Sequence, residues 1–308
     1  MQSVLTAEKP KGNHFKINIE KMTPYLYIFP AVIFLAAIMG YPIIYAIYMS
    51  FQKFTLETLV SKNAQFVGFL NYQAVISNPQ FMIALQHSLI FTFASIFFQF
   101  SIGLCLAILF SKSFPMCNIM RGLLLSGWQI PSVVTGTIFL WLFNMDYGLI
   151  NFILTNLNMI QEPIGWVTSA DTALITVIMV NIWLGIPFNT ILLSAGITGL
   201  PEDVFEAATV DGANAWQKLI YITIPLLKST ILAVLMLGFI YTLRVFDVIW
   251  IMTKGGPASA TEVLPTFAYR LSFISFNFGQ SAAVSVIILL ILMVAAFFYL
   301  KFAIQEEF

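Results

Sequence analysis

The chain has 308 residues, of which 59% are hydrophobic and 9% are charged. A soluble domain carries roughly 25% charged residues, so this composition excludes an ordinary soluble protein and indicates a protein of the lipid bilayer. The net charge is zero and there is no block of like charges, so nothing indicates a nucleic acid or an acidic surface as a partner.

Six stretches are long and apolar enough to cross a membrane, because a helix needs about 20 apolar residues to span the hydrocarbon. They lack the alternation of apolar and polar residues that is typical of a membrane β-strand. We therefore predict an all-α membrane protein with a tail at 1–23 and a transmembrane domain at 24–308. The predicted spans are 24–50, 85–110, 122–143, 172–198, 228–252 and 279–301.

The distribution of basic residues predicts the orientation, since cytoplasmic loops carry an excess of Lys and Arg. Nine of the fourteen basic residues lie in the two tails and in the loops after spans two and four. These nine are Lys9, Lys11, Lys16, Lys21, Lys112, Arg121, Lys218, Lys228 and Lys301. The opposite loops hold Lys53, Lys62, Lys254 and Arg270. Both termini, and the loop after span four, are therefore predicted to be cytoplasmic.

Polar residues follow one face of span two and one face of span four, at spacings of three and four. Span two carries Ser88, Thr92, Ser95, Gln99 and Gly103, and span four carries Asn181, Gly185 and Asn189. Polar side chains inside a span face the bundle interior or a cavity. The pattern leaves two interpretations open: these residues pack the helices together, or they line the route of a solute.

Two prolines interrupt the apolar spans. Pro131 and Pro187 each remove a backbone hydrogen bond, so we expect kinks near Gln129 and Asn189. Amides and tryptophans beside broken helices suit a sugar, whose hydroxyl groups need hydrogen bonds and whose ring faces stack on aromatic rings. The candidate residues of a substrate pathway are Gln99, Trp128, Gln129, Asn181, Trp183, Asn189 and Tyr241.

The loop after span four, about residues 199–227, contains the polar stretch "GLPEDVFEAATVDGANAWQKLIYITIPLL". Pro201 and the acids that follow it predict a helix start, and Asp211-Gly212 predicts its end. A second helix from about Asn214 would lead to Pro225 and the next span. The sequence therefore predicts a bent helical element that projects into the cytoplasm.

The first helix of this element has features of a docking surface. Ala207 and Ala208 offer a small-residue surface, Glu206 offers a carboxylate for charge-assisted hydrogen bonds, and Phe205 and Trp216 offer apolar anchors. The patterning leaves open a second interpretation, in which the element is a solvated amphipathic link between two spans.

Beyond Lys228 at its first position, span five contains two charged residues, Arg244 and Asp247, three apart. We expect these two charges to be buried and to be neutralised, either by each other or by a residue of a partner subunit, because an unpaired charge at that depth costs at least ~2.5 kcal/mol. A proton relay is the alternative. With histidine only at His14 and His87, we expect no metal site and no catalytic residues.

The motif Glu206-Ala207-Ala208, three residues, Gly212, nine residues, Ile222, one residue, Ile224-Pro225 resembles the EAA loop of permease subunits of binding-protein-dependent ABC importers. Ile224 stands where that family usually has Leu. The Asp211-Gly212-Ala213 variant is similar to the maltose-type carbohydrate-uptake permeases. The segments "FVGFLNYQAV", "IPFNTILLSAGITGLP" and "FDVIWIMTKGGPASATEVLPTFAYRLSF" also resemble that family.

The resemblance implies a six-helix, type I (MetI-like) permease bundle in a bacterial or archaeal plasma membrane. It implies that Glu206, Ala207, Ala208, Asp211, Gly212 and Pro225 couple the chain to a cytoplasmic ATPase. The implied partners are two ATPase subunits that bind ATP and Mg²⁺, a second homologous permease, an extracytoplasmic solute-binding protein and a sugar. The chain itself has no GxxxxGK[ST] phosphate loop, so no cofactor is expected in it.

Two other functions compete with an importer permease. An ion-coupled secondary transporter of a small polar solute predicts carboxylates at the membrane midplane, and the spans contain only Asp247. An intramembrane enzyme requires a nucleophile with its base, and the spans contain no such pair.

Overall fold

The computed structural model describes residues 19–304, apart from residues 62 and 113. The predicted tail lysines Lys9, Lys11 and Lys16, and the loop residue Lys62, lie outside the described residues. By its contacts the chain divides after Ala46 into two units, which are described separately. The N-terminal unit contains α1 (Ile19–Leu35), a π-helical turn (Ala36–Gly40) and the start of α2 (Tyr41–Ser50).

The second unit contains the remaining elements. Those up to the fourth predicted span are β1 (Gln52–Lys53), α3 (Leu56–Ser61), β2 (Gln65–Phe66), α4 (Leu70–Ile76), α5 (Pro79–Phe110), α6 (Cys117–Trp128), α7 (Ser132–Leu142), α8 (Leu149–Asn156) and α9 (Ala170–Thr198). Those that follow are α10 (Glu202–Val210), α11 (Ala215–Lys218), a π-helical turn (Leu219–Thr223), α12 (Ile224–Leu226), α13 (Lys228–Leu243), α14 (Asp247–Met252), α15 (Leu264–Phe273) and α16 (Phe278–Ile304). The two short strands pair antiparallel, with Gln52 opposite Phe66.

The predicted all-α membrane fold is confirmed. Within the described residues, five helical segments are long and apolar enough to cross a membrane, and a bent pair, α6 with α7, makes a sixth if it is counted as one span. The predicted spans two and four correspond to α5 and α9, and both helices extend a few residues beyond the predicted starts.

The third span differs from the prediction. Instead of one helix with a kink near Gln129, the structure has two helices, α6 and α7, that meet at 97°. Pro131 has no N–H to donate and restricts the residue before it to extended conformations, so α6 ends at Trp128 and α7 begins anew at Ser132. Pro187, in contrast, lies within the uninterrupted helix α9.

The fifth span is also interrupted, which the sequence analysis did not predict. Helix α13 ends at Leu243 and α14 begins at Asp247. Arg244 therefore caps a helix C-terminus and Asp247 occupies a helix N-terminus. Each charge lies where the partial charge of its own helix end has the opposite sign.

Helices α5 and α9 pack in parallel along most of their length. Gln99 Nε2 donates a hydrogen bond to the Asn181 carbonyl at 2.7 Å. A Cβ atom at Gly103 would lie 2.7 Å from the Asn189 Cβ, and a Cβ atom at Gly185 would lie 2.3 Å from the Gln99 side chain. The two glycines allow the close approach of the two polar faces. The C-terminal ends of both helices consequently lie at the same end of the unit.

The opposite end of this unit is built around the N-terminal halves of α5 and α16. Ser88 Oγ accepts a hydrogen bond from the Leu264 N–H at the start of α15, at 2.8 Å. Ser281 Oγ in α16 donates to the Ala268 carbonyl in α15 at 2.7 Å. A cluster of buried apolar residues fills the space between these helices: Val75, Phe81, Ala84, Leu264, Phe267, Ala268, Leu271, Ala283 and Val284. Helix α15 and the loop before it therefore lie far from the C-terminal ends of α5 and α9.

Candidate functional site

The helical element between α9 and α13 has the form that the sequence predicts. Pro201 precedes α10, Glu202 and Asp203 lie in its first turn, and Asp211 caps its C-terminus. Gly212 then adopts φ +79°, a conformation that favours glycine. The Ala213 N–H donates to the Ala208 carbonyl at 2.9 Å, which completes the turn. The predicted helix start and helix end are confirmed.

The second half of this element is capped by its own residues. Asn214 Oδ1 accepts a hydrogen bond from the Gln217 N–H, and Gln217 Oε1 accepts one from the Asn214 N–H, at 2.9 Å and 2.8 Å. This reciprocal capping box begins α11. Lys218 Nζ donates to Thr209 Oγ1 at 2.6 Å and so joins the two halves. We call residues 201–227 the hairpin.

The hairpin exposes most of the residues that are predicted to couple it to an ATPase, and several large apolar side chains. Glu206, Ala207, Asp211, Gly212 and Pro225 are exposed, and Ala208 is half-buried. Val210, Trp216 and Tyr221 are 88%, 68% and 76% exposed. Exposed apolar residues on an element that holds its own shape indicate a surface that contacts another protein or the membrane. Because α10 follows directly after α9, the hairpin lies at the end of the unit where α5 and α9 terminate.

A cavity of about 300 Å³ opens at the break between α13 and α14. Its lining is contributed by α7, α9, α13 and α14, and consists of Ser132, Asn181, Leu184, Tyr241, Arg244, Val245, Phe246, Asp247 and Val248. Asn181 lies near the middle of α9, so the cavity is about halfway along this helix. The wall combines aromatic rings, an amide, hydroxyl groups and charges of both signs. We call it the central cavity.

In the described part of the single chain Arg244 and Asp247 do not neutralise each other, and their neutralisation by a partner subunit stays a prediction. Both residues are exposed to the central cavity in this chain. Asp247 Oδ2 instead accepts a hydrogen bond from Ser132 Oγ at 3.0 Å. The interruption between α13 and α14 removes the continuous helical face on which the prediction depended.

The other pathway candidates fall into two groups. Gln99 and Asn189 are buried between α5 and α9, and Asn189 Nδ2 donates to the Gly185 carbonyl at 2.8 Å. These two residues pack the helices together. Asn181 and Tyr241 lie in the wall of the central cavity, and Asn181 Nδ2 is buried there without a hydrogen-bond partner among the described residues.

Aromatic rings lead from the central cavity toward the bend between α6 and α7. Tyr241 contacts Phe188 edge-on, with ring centroids 5.6 Å apart, and Phe188 lies 6.0 Å from Trp128. Gln129 follows Trp128 and is exposed. Trp183 does not line the central cavity: it contacts Phe139 at 5.4 Å and borders a separate apolar cleft beside Gly127.

An ion pair that the sequence analysis missed organises the loop between α14 and α15. Glu262 is 1% exposed, and its Oε2 lies 2.6 Å from Arg270 Nη2. Arg270 Nη2 also donates to the Lys254 carbonyl at 3.2 Å. Burial raises the pKa of the Glu262 carboxyl above its usual value, and Thr266 and Arg270 partly oppose this shift. The pair ties together the two ends of the loop.

Comparison with known proteins identifies the family. Residues 99–305 match the model of the family described as "binding-protein-dependent transport system inner membrane component". A probable ABC transporter permease of Brucella suis is 31% identical over 287 residues, which cover 92% of this chain and 97% of that protein. The trehalose/maltose transport system permease MalF of Thermococcus litoralis is 28% identical over 277 residues, which cover 90% of this chain and 92% of that protein.

A solved structure shares the fold. A chain of the bacterial alginate ABC transporter, crystallised in complex with a periplasmic protein bound to an alginate pentasaccharide, superposes with a TM-score of 0.79 at 20% identity. The superposition covers 94% of this chain and 96% of that one. The family match spans most of the hairpin-bearing unit, and the protein therefore belongs to the family of binding-protein-dependent transport system inner membrane components, the permease subunits of ABC transporters.

Proposed function

We propose that this chain is one membrane-spanning half of an ATP-driven importer, and that the transported solute is a sugar or oligosaccharide. The observation that carries the proposal is the hairpin: it is ordered by its own caps, it exposes Glu206 and a set of apolar side chains, and its sequence resembles the EAA loop, with Ile224 in place of the usual Leu. An element of this kind suits the transmission of force from a separate subunit.

The energy source belongs to that separate subunit. The chain has no phosphate-binding loop, so ATP and Mg²⁺ are bound by two cytoplasmic ATPase subunits, one of which contacts the hairpin of each permease.

The orientation of the chain in the membrane is inferred from its basic residues. Four basic residues follow the C-terminal ends of α5 and α9: Lys112 and Arg121 lie between the end of α5 and the first half of α6, and Lys218 and Lys228 lie between α10 and the start of α13. This distribution supports a cytoplasmic location for the hairpin and both termini.

A second permease completes the pathway. Two of the membrane-crossing segments leave most of their residues uncovered in the single chain: 28% of the most apolar stretch of the α13–α14 segment and 11% of that of α16 are buried. A partner permease and the lipid cover these faces. The central cavity then lies near the midplane, where transporters bind their substrates, and opens toward the partner.

The sugar assignment is supported by the chemistry of the central cavity and by the relatives. Tyr241 offers a ring face, and Asn181, Ser132, Arg244 and Asp247 offer donors and acceptors that match hydroxyl groups. One relative is a trehalose/maltose permease, and the alginate transporter was solved with a periplasmic protein that holds an oligosaccharide. We infer that an extracytoplasmic binding protein delivers the sugar to this chain in the same way.

An uptake assay tests the proposed function. Membrane vesicles that contain this permease, its partner permease, the ATPase and the binding protein should take up a labelled saccharide from a panel of mono- and oligosaccharides when ATP is supplied. Uptake should persist in the presence of a proton uncoupler and should disappear when the ATPase is omitted. Uptake that needs the ion gradient and ignores the ATPase would instead establish an ion-coupled transporter.

A pair of substitutions tests the central cavity as the substrate route. Tyr241→Ala removes a ring from the cavity wall and should raise the KM for saccharide uptake about tenfold, because the loss of an aromatic contact costs roughly 0.5–1.5 kcal/mol beyond the buried area. Asn189→Ala is the matched control: its side chain lies between α5 and α9, so the variant should lose thermal stability while its KM stays unchanged. Equal KM effects in both variants would contradict the assignment.

A further inference from the structure

A second cavity, of about 490 Å³, lies between the end of α5 and the start of α6. It shares no lining residue with the central cavity or with the hairpin. Two basic side chains, Lys112 and Arg121, line it, and the described residues of its lining include no Asp or Glu. We call it the basic cavity. Its net positive charge favours an anion as the ligand.

Arg121 is held in place by α5. Its Nη2 donates to the Phe110 carbonyl at 2.5 Å, and its guanidinium carbon lies 6.0 Å from the centre of the Phe110 ring. A guanidinium carries five N–H donors, and the described residues accept only this bond from it. The Lys112 side chain is exposed and donates to no described residue. Both cations therefore have donors available for a ligand.

The basic cavity lies where a membrane-crossing helix ends. Phe110 is the last residue of the membrane-crossing helix α5, so the cavity lies at the boundary between the hydrocarbon and the water. Ala107 packs with Leu193 and Val234 in one cluster, which puts this boundary at the same end as the hairpin. A ligand at this depth meets polar and apolar surroundings together.

The apolar half of the lining distinguishes a lipid from a soluble anion. Met116 and Ile119 are 67% and 57% exposed, and Phe114 stacks on Phe110 with ring planes 16° apart. These side chains extend the cavity into an apolar surface beside the two cations. A free phosphate ion would leave that surface uncovered, whereas the acyl chains of a phospholipid would cover it.

We propose that the basic cavity binds an anionic phospholipid, with Lys112 and Arg121 contacting the phosphate of the headgroup and the apolar residues at the start of α6 contacting the acyl chains. Basic pockets at the membrane surface of transport proteins bind anionic headgroups by this charge complementarity. The site is independent of the sugar and of the ATPase contact, so it can exist whether or not the proposed transport function is correct.

Lipid retention tests the proposal. The full-length permease, purified in its assembled transporter and stripped of lipid, is incubated with equal amounts of dioleoylphosphatidylglycerol and dioleoylphosphatidylcholine, and bound lipid is counted by native mass spectrometry. The wild type should retain the phosphatidylglycerol preferentially. Lys112→Gln should weaken its retention about fivefold, and Lys112→Gln with Arg121→Gln about 25-fold.

A control variant and a competition with free phosphate complete the test. Lys301→Gln, which neutralises an exposed lysine in the last turn of α16 outside the basic cavity, should leave lipid retention unchanged. Arg121 also donates a hydrogen bond to the Phe110 carbonyl, so its substitution disturbs the end of α5. If the double variant does not assemble, the comparison of Lys112→Gln with the wild type decides the test. Unchanged retention in Lys112→Gln, or equal retention of both lipids by the wild type, overturns the proposal. Displacement of the lipid by millimolar inorganic phosphate would identify a site for free phosphate and would overturn it as well.

Discussion

Charge reversal at Glu206 should detach the ATPase from the transporter and abolish uptake. Glu206 is exposed on α10, beside the small residues Ala207 and Ala208, where a carboxylate can accept charge-assisted hydrogen bonds from a partner. Loss of one member of a charge pair at an interface typically costs about 2–5 kcal/mol, and a lysine in the same place adds repulsion. We expect the affinity of the Glu206→Lys variant for the ATPase to fall at least about thirtyfold.

The measurement is co-purification of the ATPase with the permease, together with ATP-driven uptake. Membrane insertion should be normal, because Glu206 lies outside the predicted spans. Lys301→Glu is the control: it reverses an exposed charge in α16, away from the hairpin, and should retain both the ATPase and uptake. If Glu206→Lys co-purifies in the wild-type ratio and transports normally, the hairpin does not dock as proposed.

Removal of Arg270 should destabilise the protein in a pH-dependent way. The Arg270→Gln variant leaves the buried Glu262 carboxylate without its cation, and breaking a buried ion pair costs about 3–5 kcal/mol. The Arg270 side chain is 39% exposed, so we expect the lower end of this range. The loop between α14 and α15 also loses the bond to the Lys254 carbonyl.

The sign of the pH dependence follows from the pKa of Glu262. Burial already raises this pKa in the folded state, and Arg270 opposes the rise, so Arg270→Gln raises the pKa further. A carboxyl whose folded pKa exceeds its unfolded pKa contributes stability below the unfolded value, and this contribution is lost as the pH rises through the folded pKa. The stability of the Arg270→Gln variant should therefore be closest to that of the wild type at acidic pH and should fall as the pH rises toward neutral.

Thermal unfolding of the detergent-solubilised protein between about pH 5 and pH 8 measures this effect. Glu262→Gln combined with Arg270→Gln should recover part of the lost stability and should show no pH slope from this site, because no titrating group is left there. Lys254→Gln, which removes an exposed positive charge from the same loop, should behave like the wild type. If the Arg270→Gln variant has the stability of the wild type at every pH, the ion pair does not hold the loop.

The parts of the fold that depend on local signals were predictable. Hydropathy over about 20 residues located the spans because the bilayer imposes that length on each helix. The hairpin was predictable from Pro201 before its first helix, Gly212 at its turn and Asn214 at the start of its second helix, because each of these residues acts on the backbone within a few positions. The polar faces of α5 and α9 were likewise predictable as inward-facing.

The roles of those inward-facing residues were not predictable from their spacing. Gln99 and Asn189 are packed against Gly185 and Gly103, whereas Asn181, on the same helical face as Asn189, reaches the central cavity. The difference depends on which helix lies opposite each residue. No pattern within one helix carries that information.

The sequence by itself determined an all-α membrane protein with a bent helical element after its fourth span, because helix length, helix starts and turns follow from neighbouring residues, and the resemblance of that element to the EAA loop indicated a permease. Only the tertiary structure decided the 97° bend between α6 and α7, the break that exposes Arg244 and Asp247 to a cavity, and the ion pair of Glu262 with Arg270. Pro131 interrupts the third span locally, but the positions of α7 and α14 depend on packing between segments that are distant in the chain, where Gly136 faces Ile251. Glu262 and Arg270 are close in the chain, but their pairing depends on how the loop before α15 folds, and that loop has no helical period.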